Sequence, residues 1–131
     1  MKKVLIVLGI IIGVMILGVV IFMMRFQQMQ KYTAENFLRV TNVDMTQIPD
    51  GVYNGKAGDF VSTVNLDVAV NDHKIGAVVI KEQLCGGPKY EARDMTNKIV
   101  LAQSPKTDVV TGASGSSKII MIAVYDALTT K

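Results

Sequence analysis

The chain has 131 residues, with 14 Lys and Arg against 11 Asp and Glu, and half of its residues are hydrophobic. Its formal net charge is +3, which falls to +1 without Lys2 and Lys3 at the N-terminus, so the charge gives no support for a nucleic acid partner. About a hundred residues follow the N-terminal segment, enough for one small domain. The single Cys85 cannot form an internal disulfide, so this domain must hold together by packing.

An apolar run of 21 residues extends from Val4 to Met24. About 20 such residues cross a bilayer as a helix, whereas a cleaved secretory signal has a core of roughly 7–15 and a cleavage site of small residues. Residues 1–24 are therefore predicted to be a retained signal anchor, a transmembrane helix in the lipid bilayer. Lys2 and Lys3 predict a cytoplasmic N-terminus, which places the rest of this single-pass chain on the extracytoplasmic side of the cell membrane.

Residues 25–48 are predicted to continue the helix and then to form a linker. Turn chemistry at Pro49-Asp50-Gly51 opens the domain proper, residues 49–131, with a first strand at 52–57.

The segment 62–84 has the pattern of a β-hairpin. Apolar and polar residues alternate in "STVNLDVAV", which predicts a strand at 62–70 with one buried face. "NDHK" makes a turn in which the lone His73 is expected to be solvated, and "IGAVVIKEQL" returns as the partner strand.

Two helices are predicted after the hairpin. The apolar spacing becomes helical from about 89 to 103, where "SPKTD" ends the helix with a proline. A second helix, mostly buried, is predicted from about 117 to 128. The fold class is therefore α+β: a single N-terminal transmembrane helix followed by a small antiparallel sheet packed with two helices.

Small and hydroxylated residues are concentrated just before the last predicted helix, in "DVVTGASGSSK" at 108–118. One interpretation is local: Ser116 or Ser117 caps the helix and Thr111-Gly112 is an ordinary turn. Another is an anion site, because the free amides and dipole of a helix start favour a phosphate and Lys118 would add positive charge. The P-loop pattern is not met, and a serine nucleophile would need a base that the turn histidine does not offer.

The same segment resembles a known signature. Asp108, Thr111, Gly112, Ala113, Ser114 and Ser116 match the pattern D-x-x-[ST]-G-A-[ST]-x-[ST] of the FMN-binding domain family. That family includes the flavin-carrying subunits of the sodium-pumping NADH:quinone reductase and of the Rnf complex, and small membrane-anchored flavoproteins. "DGVYNGKAGDF" is similar to the family's opening D-G-x-Y-x-G strand, and the order of elements agrees over roughly residues 49–129.

The resemblance implies a function. In the family, the last hydroxyl of the signature carries FMN through a phosphoester that a flavin transferase installs; that position is Ser116 here, where threonine is commoner. Asp108 would orient the loop or be recognised by the transferase, and Ser117 adjoins the acceptor. The flavin ring needs a flat apolar contact, for which Tyr90 and Tyr53 are candidates.

The expected role is thus that of an electron carrier, not a complete enzyme, with a membrane electron-transfer partner. The alternative is a membrane-tethered binding or assembly module with non-covalent FMN or none.

Overall fold

The computed structural model describes residues 1–130, and its architecture confirms the α+β class. The elements in chain order are α1 (Lys2–Arg39), β1 (Gly51–Asp59), β2 (Ser62–Asn71), β3 (Lys74–Leu84), α2 (Met95–Ala102) and α3 (Ser114–Thr129). Short 3-10 helices lie at Met45–Gln47 and Pro88–Tyr90.

The three strands form one antiparallel sheet in the order β1-β2-β3. The predicted alternation of β2 is confirmed, since one side of the strand is buried and the other is half-exposed. The buried side consists of Val64, Leu66, Val68 and Val70. The turn that contains His73 is exposed, as expected. The core lies between this face of the sheet and the two helices α2 and α3.

Helix α3 packs closely on β1 because β1 carries a glycine at the crossing point. A Cβ atom on Gly55 would lie 2.0 Å from the carbonyl oxygen of Ala123 and 2.8 Å from the Cβ of Ala127. The absence of a side chain at Gly55 therefore lets the backbone of α3 lie almost directly on the sheet at Ala123.

Helix α1 is unbroken over 38 residues, about 57 Å at 1.5 Å per residue. It is long and apolar enough to cross a membrane, and the rest of the protein covers none of its most apolar stretch. Its second half packs on the domain through a stripe at helical spacing: Met29, Thr33, Phe37 and Val40. The helix continues to Arg39, and this part of it packs on the domain, where the sequence predicted only a helical continuation that passes into a linker.

Both later helices have different bounds from those predicted. Helix α2 begins at Met95 instead of near 89, because residues 88–90 form a 3-10 turn and Ala92 has a left-handed φ of 52°. It ends at Ala102, before the proline, because the next residue, Gln103, has a left-handed backbone conformation. The side-chain amide of Gln103 accepts from the N–H of Ile75 and donates to its carbonyl. Helix α3 begins three residues earlier than predicted, at Ser114.

Candidate functional site

The signature segment lies at the first turn of α3. Ala113 is the N-cap residue and offers no side-chain cap, so the prediction that Ser116 or Ser117 caps this helix is wrong. The first backbone bond of the helix runs from the Ser117 N–H to the Ala113 carbonyl, 2.9 Å. The amides of Ser114, Gly115 and Ser116 precede that bond and are not used by the helix. The start of α3 thus combines free donors with the positive end of the helix dipole.

Ser117 holds the preceding loop in place. Its hydroxyl donates to the Ala113 carbonyl at 2.7 Å and accepts from the Val110 N–H at 3.0 Å, and the residue is fully buried. The Ala113 N–H also donates to the Val110 carbonyl, at 3.0 Å. These bonds close residues 110–117 into a compact turn, so the Ser117 hydroxyl is committed to structure.

The other two serines differ in exposure. Ser116 retains 7% of its surface, and its hydroxyl has no hydrogen-bond partner among residues 1–130. Ser114 is exposed, as are its neighbours Gly115 and Gly112. Gly112 has a φ of 82°, which L side chains rarely adopt, and open space lies beside it and beside Gly115. The small residues therefore leave the backbone of this turn accessible from solvent.

The N-terminal part of the signature is held by α2. The Lys98 ammonium lies 3.4 Å from the carbonyl oxygens of both Asp108 and Val109. The carboxylate of Asp108 is exposed and makes no hydrogen bond or ion pair within residues 1–130. Lys98 thus orients this part of the loop through backbone carbonyls, a role that the sequence suggested for the Asp108 side chain.

A groove of about 230 Å³ runs beside the signature loop. One wall is formed by Val110, Thr111 and Ala113, and the other by the segment before α2: Pro88, Lys89, Glu91, Ala92, Arg93 and Asp94. Its volume is below the roughly 300–1,000 Å³ of enclosed small-molecule pockets. A ligand held here would therefore remain partly exposed to solvent.

Two cations line this groove. Arg93 forms an ion pair with Glu91, whose carboxylate raises the pKa of the guanidinium above its ordinary value. The ammonium of Lys89 lies 5.7 Å from the centre of the Tyr90 ring. The same wall also carries the carboxylates of Glu91 and Asp94, so its two cations are balanced by two acids.

Neither candidate tyrosine lines the groove. Tyr90 belongs to the same 3-10 turn as Pro88 and Lys89 and is exposed, so its ring lies beside the groove wall. Tyr53 lies on the helix-facing side of β1, and its hydroxyl donates to the Pro49 carbonyl at 2.6 Å. The structure thus places Tyr90 next in the chain to two groove residues, Pro88 and Lys89, and leaves Tyr53 in a structural role at the start of the sheet.

Lys118, suggested by the sequence as a phosphate partner, contacts α1. Its ammonium lies 5.3 Å from the centre of the Phe37 ring, and that of Lys106 lies 5.9 Å from the same ring. Both distances are within the range of cation–π attraction. These lysines therefore connect the ends of the signature segment to the juxtamembrane half of α1.

A larger cavity, about 500 Å³, lies elsewhere. It is bounded by Tyr32 of α1 and by the ends of the strands, and none of the signature residues lines it.

Sequence reasoning missed Lys98 and Arg93 as neighbours of the signature. Lys98 occupies a helical position with no motif around it, and Arg93 was placed inside a helix that begins only at Met95. Comparison of the chain with models of known protein families and with curated proteins finds no match.

Proposed function

We propose that the protein is a membrane-anchored, extracytoplasmic flavoprotein that carries FMN through a phosphoester to Ser116 and relays electrons. The observation that carries this proposal is the position of the signature. Its last hydroxyl, Ser116, lies in the first turn of α3 beside three amides that the helix does not use. A helix start of this kind favours a phosphate.

The residues around the signature fit a phosphate-linked flavin. Gly112 and Gly115 leave open space at the turn, so a phosphate can approach the backbone. Lys89 lines the adjoining groove and would supply a positive charge there, whereas Arg93 is already paired with Glu91. Tyr90 follows two of the groove residues, Pro88 and Lys89, in the same 3-10 turn and is exposed, so its ring is accessible to a flat ring system. The groove is open to solvent, which suits a carrier that exchanges electrons with other proteins.

Attachment would form a bond between Ser116 Oγ and the phosphorus of the FMN part of an activated flavin donor, and would break the bond from that phosphorus to the donor's leaving group. The leaving group takes up the hydroxyl proton, so the chain becomes heavier by FMN less one water. Ser117 cannot substitute for Ser116, because its hydroxyl is fully used in closing the loop. Ser116 is 7% exposed, and its hydroxyl is not among the fully buried polar atoms, so it keeps contact with solvent. A flavin transferase would bind the exposed face formed by Asp108, Thr111 and Ser114.

The bound flavin would supply the redox chemistry, and the protein would fix its place and tune its potential. The loop closure by Ser117 and the contact of Lys98 keep the signature rigid. The chain contains no nicotinamide-binding fingerprint. Electrons are therefore expected to come from a membrane partner and to leave to another carrier or an extracellular acceptor.

The membrane part of the proposal is a single span with the N-terminus in the cytoplasm. Helix α1 has the length and composition for it. Lys2 and Lys3 are the charges at its short end, and the positive-inside bias keeps them in the cytoplasm.

A second candidate function is a membrane-tethered binding or assembly module without covalent FMN. The low exposure of Ser116 is the observation that favours it, because only 7% of the residue is accessible to a transferase. In this case the free amides and the groove would hold FMN non-covalently, or the segment would serve only as a helix start.

Co-expression with a flavin transferase separates these functions. The proposal predicts a yellow protein whose colour survives denaturation and gel electrophoresis. Colour lost on denaturation indicates non-covalent binding, and a colourless protein of unmodified mass indicates the module. The control is another family member flavinylated in the same host.

A further inference from the structure

The turn between β1 and β2 carries two apolar residues where polar ones are usual. Asp59 pairs with Ser62, so only Phe60 and Val61 connect the strands. Two-residue hairpin turns prefer Asn, Asp and Gly, because they require positive φ angles. Phe60 has a φ of 54°, which is rare for a bulky side chain. The backbone conformation alone therefore does not account for an aromatic residue at this turn.

The same turn contacts α1 at the end of its apolar run. The Phe60 ring packs edge-on against that of Phe22, with 5.4 Å between the ring centres. The Arg25 guanidinium lies 5.6 Å from the centre of the Phe60 ring and forms an ion pair of 3.3 Å with Asp59. Phe22 lies inside the uncharged run, and Arg25 is the first charged residue beyond it. The tip of the hairpin is therefore level with the end of the apolar segment.

We infer that this turn is a second membrane contact, with Phe60 and Val61 inserted at a headgroup–acyl boundary. The leaflet concerned is the one in which the apolar run of α1 ends, near Phe22. The inference rests on the proposed membrane span of α1. Val61 is 37% exposed, and Phe22, which contacts Phe60, stacks on Phe26 in an exposed aromatic pair on α1. Aromatic and long cationic side chains favour this boundary, where Arg25 can extend its charged end to the headgroups.

The charges around the turn suit this position. The carboxylate of Asp59, the acid next to the tip, accepts from the Phe60 N–H at 2.8 Å and pairs with Arg25. A carboxylate held in this way brings no unpaired charge to the membrane surface. The apolar tip and the neutralised pair together match a phospholipid interface, which is apolar on one side and hydrated on the other.

Two attachment points would fix the height of the domain above the membrane. The juxtamembrane half of α1 packs on the domain up to Val40, and the hairpin tip rests on the lipid. Phe37 lies about 20 Å along the helix axis from Met24, and the Lys118 ammonium lies over its ring. The signature segment would then be held at about that height, facing partners that extend from the same membrane.

Depth-dependent quenching tests the inference on the full chain in phospholipid vesicles. Single cysteines at Val61, Met15 and Lys74 are introduced into a Cys85→Ser chain and labelled with an environment-sensitive fluorophore. Lys74 begins β3 at the opposite end of the sheet and is exposed, so it is the matched control. Lipids carrying bromine near the headgroup or at mid-chain serve as quenchers.

The expected result is that the label at Val61 is quenched by shallow bromine several-fold more than the label at Lys74, while the label at Met15 is quenched most by mid-chain bromine. Equal and weak quenching at Val61 and Lys74, with Met15 still quenched, overturns the inference and leaves the proposed span intact. A label at Met15 that is not quenched contradicts the span itself and, with it, this second contact.

Discussion

Ser114, Ser116 and Ser117 are identical side chains that the start of α3 places in three different environments. Ser114 is exposed, Ser116 keeps a small exposed edge, and Ser117 is fully buried with its hydroxyl bonded on both sides. The environments differ because the three serines occupy different positions around the first turn of α3 and so face in different directions. The three environments assign a structural role to Ser117 and leave the hydroxyls of Ser114 and Ser116 without a partner among residues 1–130.

The role of Ser117 gives a prediction about stability. Ser117→Ala removes the acceptor of the Val110 N–H and the donor to Ala113, so the free energy of unfolding should fall by about 1–3 kcal/mol. Ser114→Ala is the matched control, and because Ser114 is exposed its effect should stay within about 0.5 kcal/mol. Urea unfolding of the full chain in detergent measures both. Equal effects of the two substitutions would show that the Ser117 hydrogen bonds do not stabilise the loop.

At the scale of the elements, the central strand β2 contributes four buried side chains to the core. Val68 is fully buried between the sheet and α3, so Val68→Asp places an unpaired charge in the core. We expect a loss of more than about 4 kcal/mol, enough to unfold a small domain. Val52→Asp is the control, because Val52 is exposed on the edge strand. Far-ultraviolet circular dichroism during thermal unfolding distinguishes the two, and a Val68→Asp chain that melts with the wild type would contradict the assigned faces of β2.

The outer face of the sheet gives a prediction about pH. Asp67 accepts from Lys81 at 2.7 Å and from Asn54 at 2.8 Å, which holds the pKa of its carboxyl below the ordinary value. A lowered folded-state pKa stabilises the protein above the ordinary pKa of about 4, and this contribution is lost as the pH falls through the folded value.

Asp67→Asn should therefore destabilise the protein at pH 7 and have less effect as the pH approaches 3. Lys81→Gln is the companion variant, since it removes the first cause of the shift and should show the same convergence. Unfolding midpoints measured from pH 7 to pH 3 test this. A constant difference between wild type and Asp67→Asn at all pH values would show that the carboxylate contributes no such pH-dependent stability.

The elements with a regular pattern could be predicted from the sequence. The buried face of β2 and the hairpin follow from the alternation of apolar and polar residues, and the long helix follows from the length of its apolar run. The structure confirms all three. The start of α2 could not, because the left-handed conformation at Ala92 depends on how the preceding turn packs. The packing of α1 on the domain was also missed, since its buried stripe includes the polar Thr33 and is only four residues long.

The sequence indicated which segment forms the candidate site, but it did not indicate which residues contact that segment. The spacing from Asp108 to Ser116 identified the region from the order of residues alone. The hydrogen bonds of Ser117, the contact of Lys98 with the loop carbonyls and the groove wall at Arg93 depend on tertiary packing. No local pattern reports which of two adjacent serines faces the core.

At the scale of the whole molecule, α1 connects the proposed membrane span to the domain without a flexible joint. The orientation across the membrane is therefore open to a direct test. Protease added to right-side-out spheroplasts should digest the chain after Arg25, because the domain is expected outside the cytoplasm. Protection of the domain until the cells are lysed would reverse the orientation. A mature N-terminus beyond residue 24 would instead show that the segment is cleaved.

The attachment of FMN to Ser116 is the claim on which the proposed function depends, and mass spectrometry of one tryptic peptide tests it most directly. Cleavage after Lys106 and Lys118 yields "TDVVTGASGSSK", which contains every candidate hydroxyl. After co-expression with a flavin transferase, fragmentation should place a mass of FMN less one water on Ser116. Ser116→Ala should abolish the adduct, and Ser116→Thr should retain it. An unmodified peptide, or a flavin on Ser114 or Thr111, would contradict the assignment.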